Sequence, residues 1–232
     1  MSAYLQHSIN CKGRLIDLSK PVVMGILNTT PDSFFDGGRY DSLSYAVEQT
    51  GRMIEEGAAI IDIGGYSSRP GADEVPVEEE LKRTIPFIEE LCRIYPEIII
   101  SIDTFRAEVA RQAVKAGASI VNDISAGDDD SEMIATVAAL QVPYIFMHKQ
   151  GNPKTMQDQP AYESVVDEVF EYLAKKKQDC LHAGIKDIIA DPGFGFGKTI
   201  DHNFQLLKHL PHFYLLEIPV LVGVSRKSMI KN

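Results

Sequence analysis

The chain has 232 residues, of which 44% are hydrophobic and 24% charged, with a formal net charge of −10. That composition is typical of a folded globular protein, which argues against disorder, and the negative balance argues against a nucleic-acid partner, since phosphate backbones are held by clustered Lys and Arg. The densest basic run, Lys175-Lys176-Lys177, lies among Glu168, Glu171 and Asp179 and reads as a solvated helix face.

In chain order, Met1-Ser2-Ala3-Tyr4-Leu5-Gln6-His7 lacks the basic-then-apolar layout of a signal peptide. The first predicted strand covers residues 22–27 and ends at Asn28. Next comes the polar connection Asn28-Thr29-Thr30-Pro31-Asp32-Ser33-Phe34-Phe35-Asp36-Gly37-Gly38, whose length and two aromatics suggest a lid. A helix is predicted over 44–56 and a second strand over 60–63, running through Gly64-Gly65 into Ser67-Ser68-Arg69-Pro70-Gly71. Further helices are predicted at 77–94, 107–116, 132–140, 162–182 and 202–207. The alternating strands are at 98–102, 120–121, 144–147, 188–190 and 220–224. Each strand is apolar almost without alternation, the mark of parallel strands covered on both faces. Gly57, Gly117 and Gly184 sit where three helices turn back toward strands.

This repeated strand-helix unit, with no composition break and no G-x-G-x-x-G after the first strand, favours an α/β fold of the TIM (β/α)8 barrel type over a doubly wound open sheet. One domain is expected over 1–232. Seven strands are legible and the eighth is not visible before Asn232, so the domain is expected to lack its C-terminal end. No stretch approaches the roughly 18 apolar residues of a membrane span. The three cysteines, Cys11, Cys92 and Cys180, form no Cys-x-x-Cys pair, so neither a disulfide framework nor a structural zinc site is expected. The expectation is a cytoplasmic protein without a membrane partner.

Barrel enzymes collect their chemistry at the carboxyl ends of the strands. Here those ends carry Asn28, Asp62, Asp103, Asn122-Asp123, Met147-His148, Asp191 and Ser225-Arg226-Lys227-Ser228. One Asp at a strand end can simply cap a helix; seven polar ends in register point to a ligand site. Asp103, Asp191, Asn122 and Lys227 offer acceptors, an amide and a cation, which suits a flat heterocycle with an amino-amide edge. Arg69, Arg226, Ser67 and Ser68 suit an anion at the ligand's other end.

The run Asp191-Pro192-Gly193-Phe194-Gly195-Phe196-Gly197-Lys198-Thr199 is not a P-loop, because position 192 would have to be glycine. It reads as a mobile loop in which Phe196 covers a bound ring. His148 could face the site or be structural, and His202, His209 and His212 lack the spacing of a zinc helix. No protein metal cage is expected, although Mg²⁺ held mainly by ligand phosphates is compatible with the sequence.

With those residues assembled, the chain resembles the dihydropteroate synthase family of pterin-binding enzymes, the folate-pathway targets of sulfonamides. The resemblance runs through Met24-Gly25-Ile26-Leu27-Asn28-Thr29-Thr30-Pro31-Asp32-Ser33-Phe34, Ile61-Asp62-Ile63-Gly64-Gly65, Ser68-Arg69-Pro70-Gly71, Ser101-Ile102-Asp103-Thr104, Val121-Asn122-Asp123, Met147-His148, the loop from Asp191 to Lys198, and Ser225-Arg226-Lys227-Ser228. It implies condensation of 6-hydroxymethyl-7,8-dihydropterin diphosphate with p-aminobenzoate, with pyrophosphate leaving first. It further implies that Asp103, Asn122, Asp191, Lys227 and Met147 bind the pterin, and that Asn28, Ser68 and Arg69 bind the diphosphate, Asn28 also holding Mg²⁺. Pro70, Phe196, Lys227 and Ser228 would wall the p-aminobenzoate pocket, and the family-like assembly would be a homodimer if the C-terminal end is present.

Two departures stand out: Tyr66-Ser67-Ser68 replaces the family's common Glu-Ser-Thr, and Lys149 replaces a commoner Met. The family's eighth strand brings an Arg and a His to the ligand, so a protein that stopped at Asn232 is expected to be poorly stable and inactive. The rival readings are a methyltetrahydrofolate-dependent methyltransferase barrel and a non-catalytic pterin binder.

Overall fold

The computed structural model describes residues 8–29, 39–66, 75–151 and 160–230. It opens on a two-stranded antiparallel hairpin, β1 (Ser8–Cys11) and β2 (Arg14–Asp17). Lys12 and Gly13 turn it, with φ of 53° and 89°, the double left-handed geometry that matches the twist of a tight hairpin. The hydrophobic pattern of residues 8–17 gives no sign of this hairpin. Its strands are four residues each, and only Ile9 and Cys11 alternate inward on the first.

Six strands then pair in parallel, strictly in chain order: β3 (Val23–Asn28), β4 (Ala58–Gly64), β5 (Ile99–Asp103), β6 (Ile120–Asp123), β7 (Tyr144–Met147) and β8 (Ile188–Asp191). The crossovers run through α1 (Arg39–Glu55), α2 (Val77–Ile94), α3 (Ala107–Ala116), α4 (Met133–Leu140) and α5 (Val165–His182), and α6 (Ile200–Lys208) follows β8. The strand order never reverses, so the sheet has no switch point of the doubly wound kind and winds one way, as a barrel does.

The seventh predicted strand is reduced to a single parallel bridge between Ala190 and Val220, with bonds from Ala190 N to Pro219 O (3.0 Å) and from Leu221 N to Ala190 O (2.8 Å). No ladder among the described residues flanks it, nor the outer edge of β3, where Val23 and Ile26 are 61% and 63% exposed.

Local chemistry sets the boundaries. The helix expected from 162 begins at Val165 because the Ser164 side chain caps it, accepting from Asp167 N. Thr199 and His202 form a reciprocal capping box, which starts α6 at Ile200 rather than at 202. Gly117 ends α3 at φ 132°, where a Cβ would come within 2.5 Å of Cys92 Sγ. A 3₁₀ helix, Leu210–Leu216, links α6 to the final segment. Among the described residues no helix is long and apolar enough to cross a membrane.

The pleat divides the sheet into two faces. Ile61, Ile63, Ile100, Ile102, Val121 and Phe146 point outward into the helix layer and form the main core. Ile60, Ile99, Ile120, Ile145 and Ile189 point the other way and pack with Ile9 and Cys11 of the hairpin. Both faces are apolar at this level, which is why the strands read as unbroken hydrophobic runs. Two residues further along each strand, the inner face changes from isoleucine to Asp62, Ser101, Asn122, Met147 and Asp191.

The hairpin therefore floors the barrel. Replacing Ile9, which is fully buried, with Ala should cost about 2–5 kcal/mol, seen as a lower urea midpoint with an unchanged slope. An unchanged midpoint would mean that the hairpin lies outside the cooperative unit.

Candidate active site

Strand register brings the inner-face residues into rows. Asn28 pairs with Gly64, Gly64 with Asp103, and Asp103 with Asn122; Asp62 lies beside Ser101, and Met147 beside Asp191. Residues that match across parallel strands share a face, so Asn28, Asp103, Asn122 and Asp191 open onto one mouth. Gly64 deepens that mouth. A Cβ there would stand 3.4 Å from Asp103 Oδ2 and 3.5 Å from Asn28 Oδ1, so the missing side chain leaves a notch flanked by two oxygens.

The electrostatics are those of carboxylates wholly or partly withheld from water: Asp62 and Asp191 are buried and Asp103 is half-buried. Burial raises the Asp103 carboxyl well above its ordinary range, and the neighbouring Asp62, Glu80 and Asp123 add to the effect. Asp62, 3% exposed, is also raised by burial, with Ser101 and Asn122 opposing. Asp191 is raised by burial, while Lys227, the Gly193 amide and Lys198 pull it back. Lys227 is lowered by burial and held up by Asp191. Its Nζ donates to Phe194 O and lies 4.7 Å from the centre of the Phe196 ring. Asp191 Oδ1 accepts from Gly193 N at 2.7 Å, which fixes the carboxylate's rotation. Arg106 and Glu80 form a partly buried pair behind this wall, where Thr104 donates to Glu80 Oε1 at 2.7 Å.

The loop after β8 is not the mobile element that its glycines suggested. Lys198, 3% exposed, donates to His148 O (3.3 Å), Gly193 O (3.0 Å) and Phe196 O (3.0 Å), and its Nζ lies 2.9 Å from His148 Nδ1. Gly195 N donates to Asn203 Oδ1 at 2.7 Å, and Tyr162 OH donates to Gly197 O at 2.8 Å. Glycine at 193, 195 and 197 supplies positive φ, but the turns it makes are tied on both sides. With Lys198 against Nδ1, the His148 ring is neutral and shares with the His148 carbonyl, the longest of the three carbonyl contacts at 3.3 Å, one of the ammonium's three protons. Burial, with Lys198 adding, brings its pKa down to about 3.

The structure thus brings together Asn28, Asp103, Asn122, Met147, Asp191, Phe196 and Lys227 of the expected set. Ser228 is exposed, in consecutive turns closed by Lys227 N to Val224 O and Ile230 N to Lys227 O, and no helix begins there among the described residues. Ser68, Arg69, Pro70 and the lid residues 30–38 lie outside the described residues. Asp62 and Lys198 stand within the sequence motifs but are not among the expected ligand-binding residues. For Asp62 the signal was available, since its position two residues before Gly64 puts it on the inner face. For Lys198 nothing in the sequence distinguished a buried ammonium from a surface one. A groove of about 610 Å³ at the start of α5 is lined by Glu163, Asp167, Glu168 and Glu171 with no cation, the wrong charge for an anionic ligand.

Residues 24–232 match the family model described as pterin binding enzyme. The dihydropteroate synthase of Escherichia coli is 50% identical over 221 residues, which is 94% of this chain and 78% of the relative. The solved Xanthomonas albilineans dihydropteroate synthase with 4-aminobenzoic acid superposes with a TM-score of 0.89 at 46% identity, covering 97% of this chain and 80% of that one. A second structure of the enzyme from that organism, in complex with 7,8-dihydropteroate, gives 0.85 at 43% identity over 96% and 79% of the two chains.

Two outcomes check the tied loop. Gly193→Ala would place a Cβ 1.9 Å from His148 O at φ +70°, whereas Gly184→Ala, at φ +93°, meets nothing within 4 Å. Both should lose more than about 1 kcal/mol to backbone strain, with Gly193→Ala clearly the worse in melting temperature. Folded His148 stays neutral to about pH 3 while the unfolded residue protonates near its ordinary 6.5, so its contribution is intact above pH 6.5 and is lost as pH falls from there toward 3. His148→Gln should flatten the pH dependence of unfolding free energy across that window.

Proposed function

The chain belongs to the pterin binding enzyme family, and from that premise we infer that it is a dihydropteroate synthase, joining 6-hydroxymethyl-7,8-dihydropterin diphosphate to p-aminobenzoate with release of pyrophosphate. The observation that carries the reading is the single inner face shared by Asp103, Asn122 and Asp191, with the Lys227 ammonium, held by Phe194 O, near enough to act on the Asp191 carboxylate. Asp191 accepts from the ring's amino and N–H groups through the oxygen that Gly193 leaves unengaged, and Lys227 donates to the ring's carbonyl side. Phe196, packed under Lys227, covers the p-aminobenzoate ring, with Pro70 and Ser228 completing that pocket. Ser68 and Arg69 take the diphosphate.

The reaction these residues favour is dissociative. The diphosphate departs and leaves positive charge delocalised from the exocyclic carbon into the ring. The amine of p-aminobenzoate then attacks to form the C–N bond, and the proton it loses passes to the released pyrophosphate or to solvent. A neutral aromatic amine needs no strong base to attack a cation. The chain's part is electrostatic and positional: buried carboxylates offset the cation, and the aromatic wall excludes the water that would otherwise capture it.

Asn28 presents its Oδ1 at the notch beside Asp103 Oδ2, and no cluster of three metal-ligating side chains is found among the described residues. That donor set fits Mg²⁺ held through one or two protein oxygens plus substrate phosphates, not a dedicated cage. Such an ion would offset charge on the leaving group.

A cytoplasmic setting and a family-like homodimer belong to the same reading. The free thiols of Cys11, Cys92 and Cys180 suit a reducing compartment. Exposed Phe204, Tyr214 and Leu215 on α6 and the 3₁₀ helix supply apolar surface for contact between copies.

A pyrophosphate-release assay tests the reaction. Release should require p-aminobenzoate for sustained turnover and should stop on chelation of divalent metal, while binding of a pterin without phosphates survives chelation. Asp191→Ala should abolish that pterin binding by calorimetry, and unchanged affinity would refute the assignment.

A further inference from the structure

Among the described residues, Asp62 is the one inner-face carboxylate to which the pterin reading gives no task. It lies a layer below Asp103, facing Ser101 across the β4–β5 pairing. Its Oδ2 accepts from Asn122 Nδ2 at 2.9 Å, reaching across β5 to β6. Its Oδ1 and the Ser101 Oγ are both buried, and the Ser101 side chain holds the carboxyl down against the effect of burial. For stability alone this is a poor arrangement, since a carboxylate sealed from water with only an amide and a hydroxyl for company weakens the fold.

Its one strong contact points toward function. The two ends of an asparagine amide are nearly the same shape, and only the surrounding hydrogen bonds decide which end faces where. A carboxylate below Asn122 decides it. The reverse orientation would set Asn122 Oδ1 against Asp62 Oδ2, two acceptors in contact out of water, so the amide nitrogen turns down and the carbonyl is left for the mouth.

We propose that Asp62 is a positioning residue that locks the Asn122 amide with its carbonyl toward the ring site, so that this position selects a hydrogen-bond donor on the ring edge. The inference rests on the pterin reading of the mouth. It assigns Asp62 no contact with substrate, only control of the polarity that Asn122 presents.

The test compares calorimetric affinities for pterin and for lumazine, whose oxo group replaces the exocyclic amino group and so removes both the hydrogen given to Asp191 and the second one open to the Asn122 carbonyl; the Asp191 share is common to wild type and variant and cancels from any change in the ratio. Wild type should prefer pterin. Asp62→Asn, which keeps the shape but removes the obligatory acceptor, should weaken pterin at least tenfold and narrow the pterin-to-lumazine ratio at least fivefold. In that variant the KM for p-aminobenzoate should change less than twofold and the melting temperature should hold. In an Asn122→Ala background the same substitution should change pterin affinity less than twofold, because nothing remains to orient. An unchanged ligand ratio, or effects that simply multiply in the double variant, would overturn the proposal. A large fall in melting temperature in both Asp62→Asn and Asp62→Leu would overturn it too, making the residue structural. If wild type binds no pterin, the reading of the mouth itself fails; if wild type binds and Asp62→Asn matches it, only the present inference does.

Discussion

Holding Asp62 and Asp191 out of water, with Asp103 half-buried above them on the same sheet face, is the constraint around which the rest of this molecule is arranged. An isolated carboxylate in such a place would normally take up a proton or find a cation. Here Lys227 and the Gly193 amide answer Asp191, Asn122 answers part of Asp62, and Asp103 has like charges around it and a notch in front. What the protein leaves uncompensated, a ligand rich in N–H groups can supply. The cost in folding stability and the capacity to bind an electron-poor ring are two aspects of the same arrangement.

That arrangement is held by parts that never meet the ligand. Below, the isoleucine layer and the hairpin fix the strands at their amino ends. At the side, Lys198 draws the β8 loop and the end of β7 together through three carbonyls and His148, and so sets where Phe194 and Phe196 lie relative to Lys227. Asp123, next to Asn122, is fully engaged by Ser125, Gly127 and Tyr144, so the strand that carries Asn122 is anchored by its neighbour.

Much of this was legible in the sequence because it follows from period. Unbroken apolar strands separated by amphipathic helices identify a parallel sheet, and polar residues at successive strand ends identify a mouth; Asp103, Asn122 and Asp191 fall where that logic puts them. Helices 77–94 and 107–116 were placed to the residue, whereas α5 and α6 began elsewhere because side-chain caps at Ser164 and Thr199 decided their starts. The short hairpin was missed for lack of repeating alternation. The loop after β8 was misread as mobile because glycine reports the backbone shapes it allows, not the bonds that hold those shapes. Lys198 supplies those bonds, and its burial depends on residues 50 positions away. The residue-by-residue family correspondence came from motif resemblance, which composition and period alone would not have supplied.

The hairpin floor has a kinetic corollary. With the amino end of the barrel packed by Ile9 and Cys11 against five isoleucines, traffic along the barrel axis is confined to the opposite rim. Whatever Asn122 and Asp191 hold therefore enters and leaves over the rim that carries Asn28 and Asp103, so exchange at the site depends on that one side of the sheet staying uncovered.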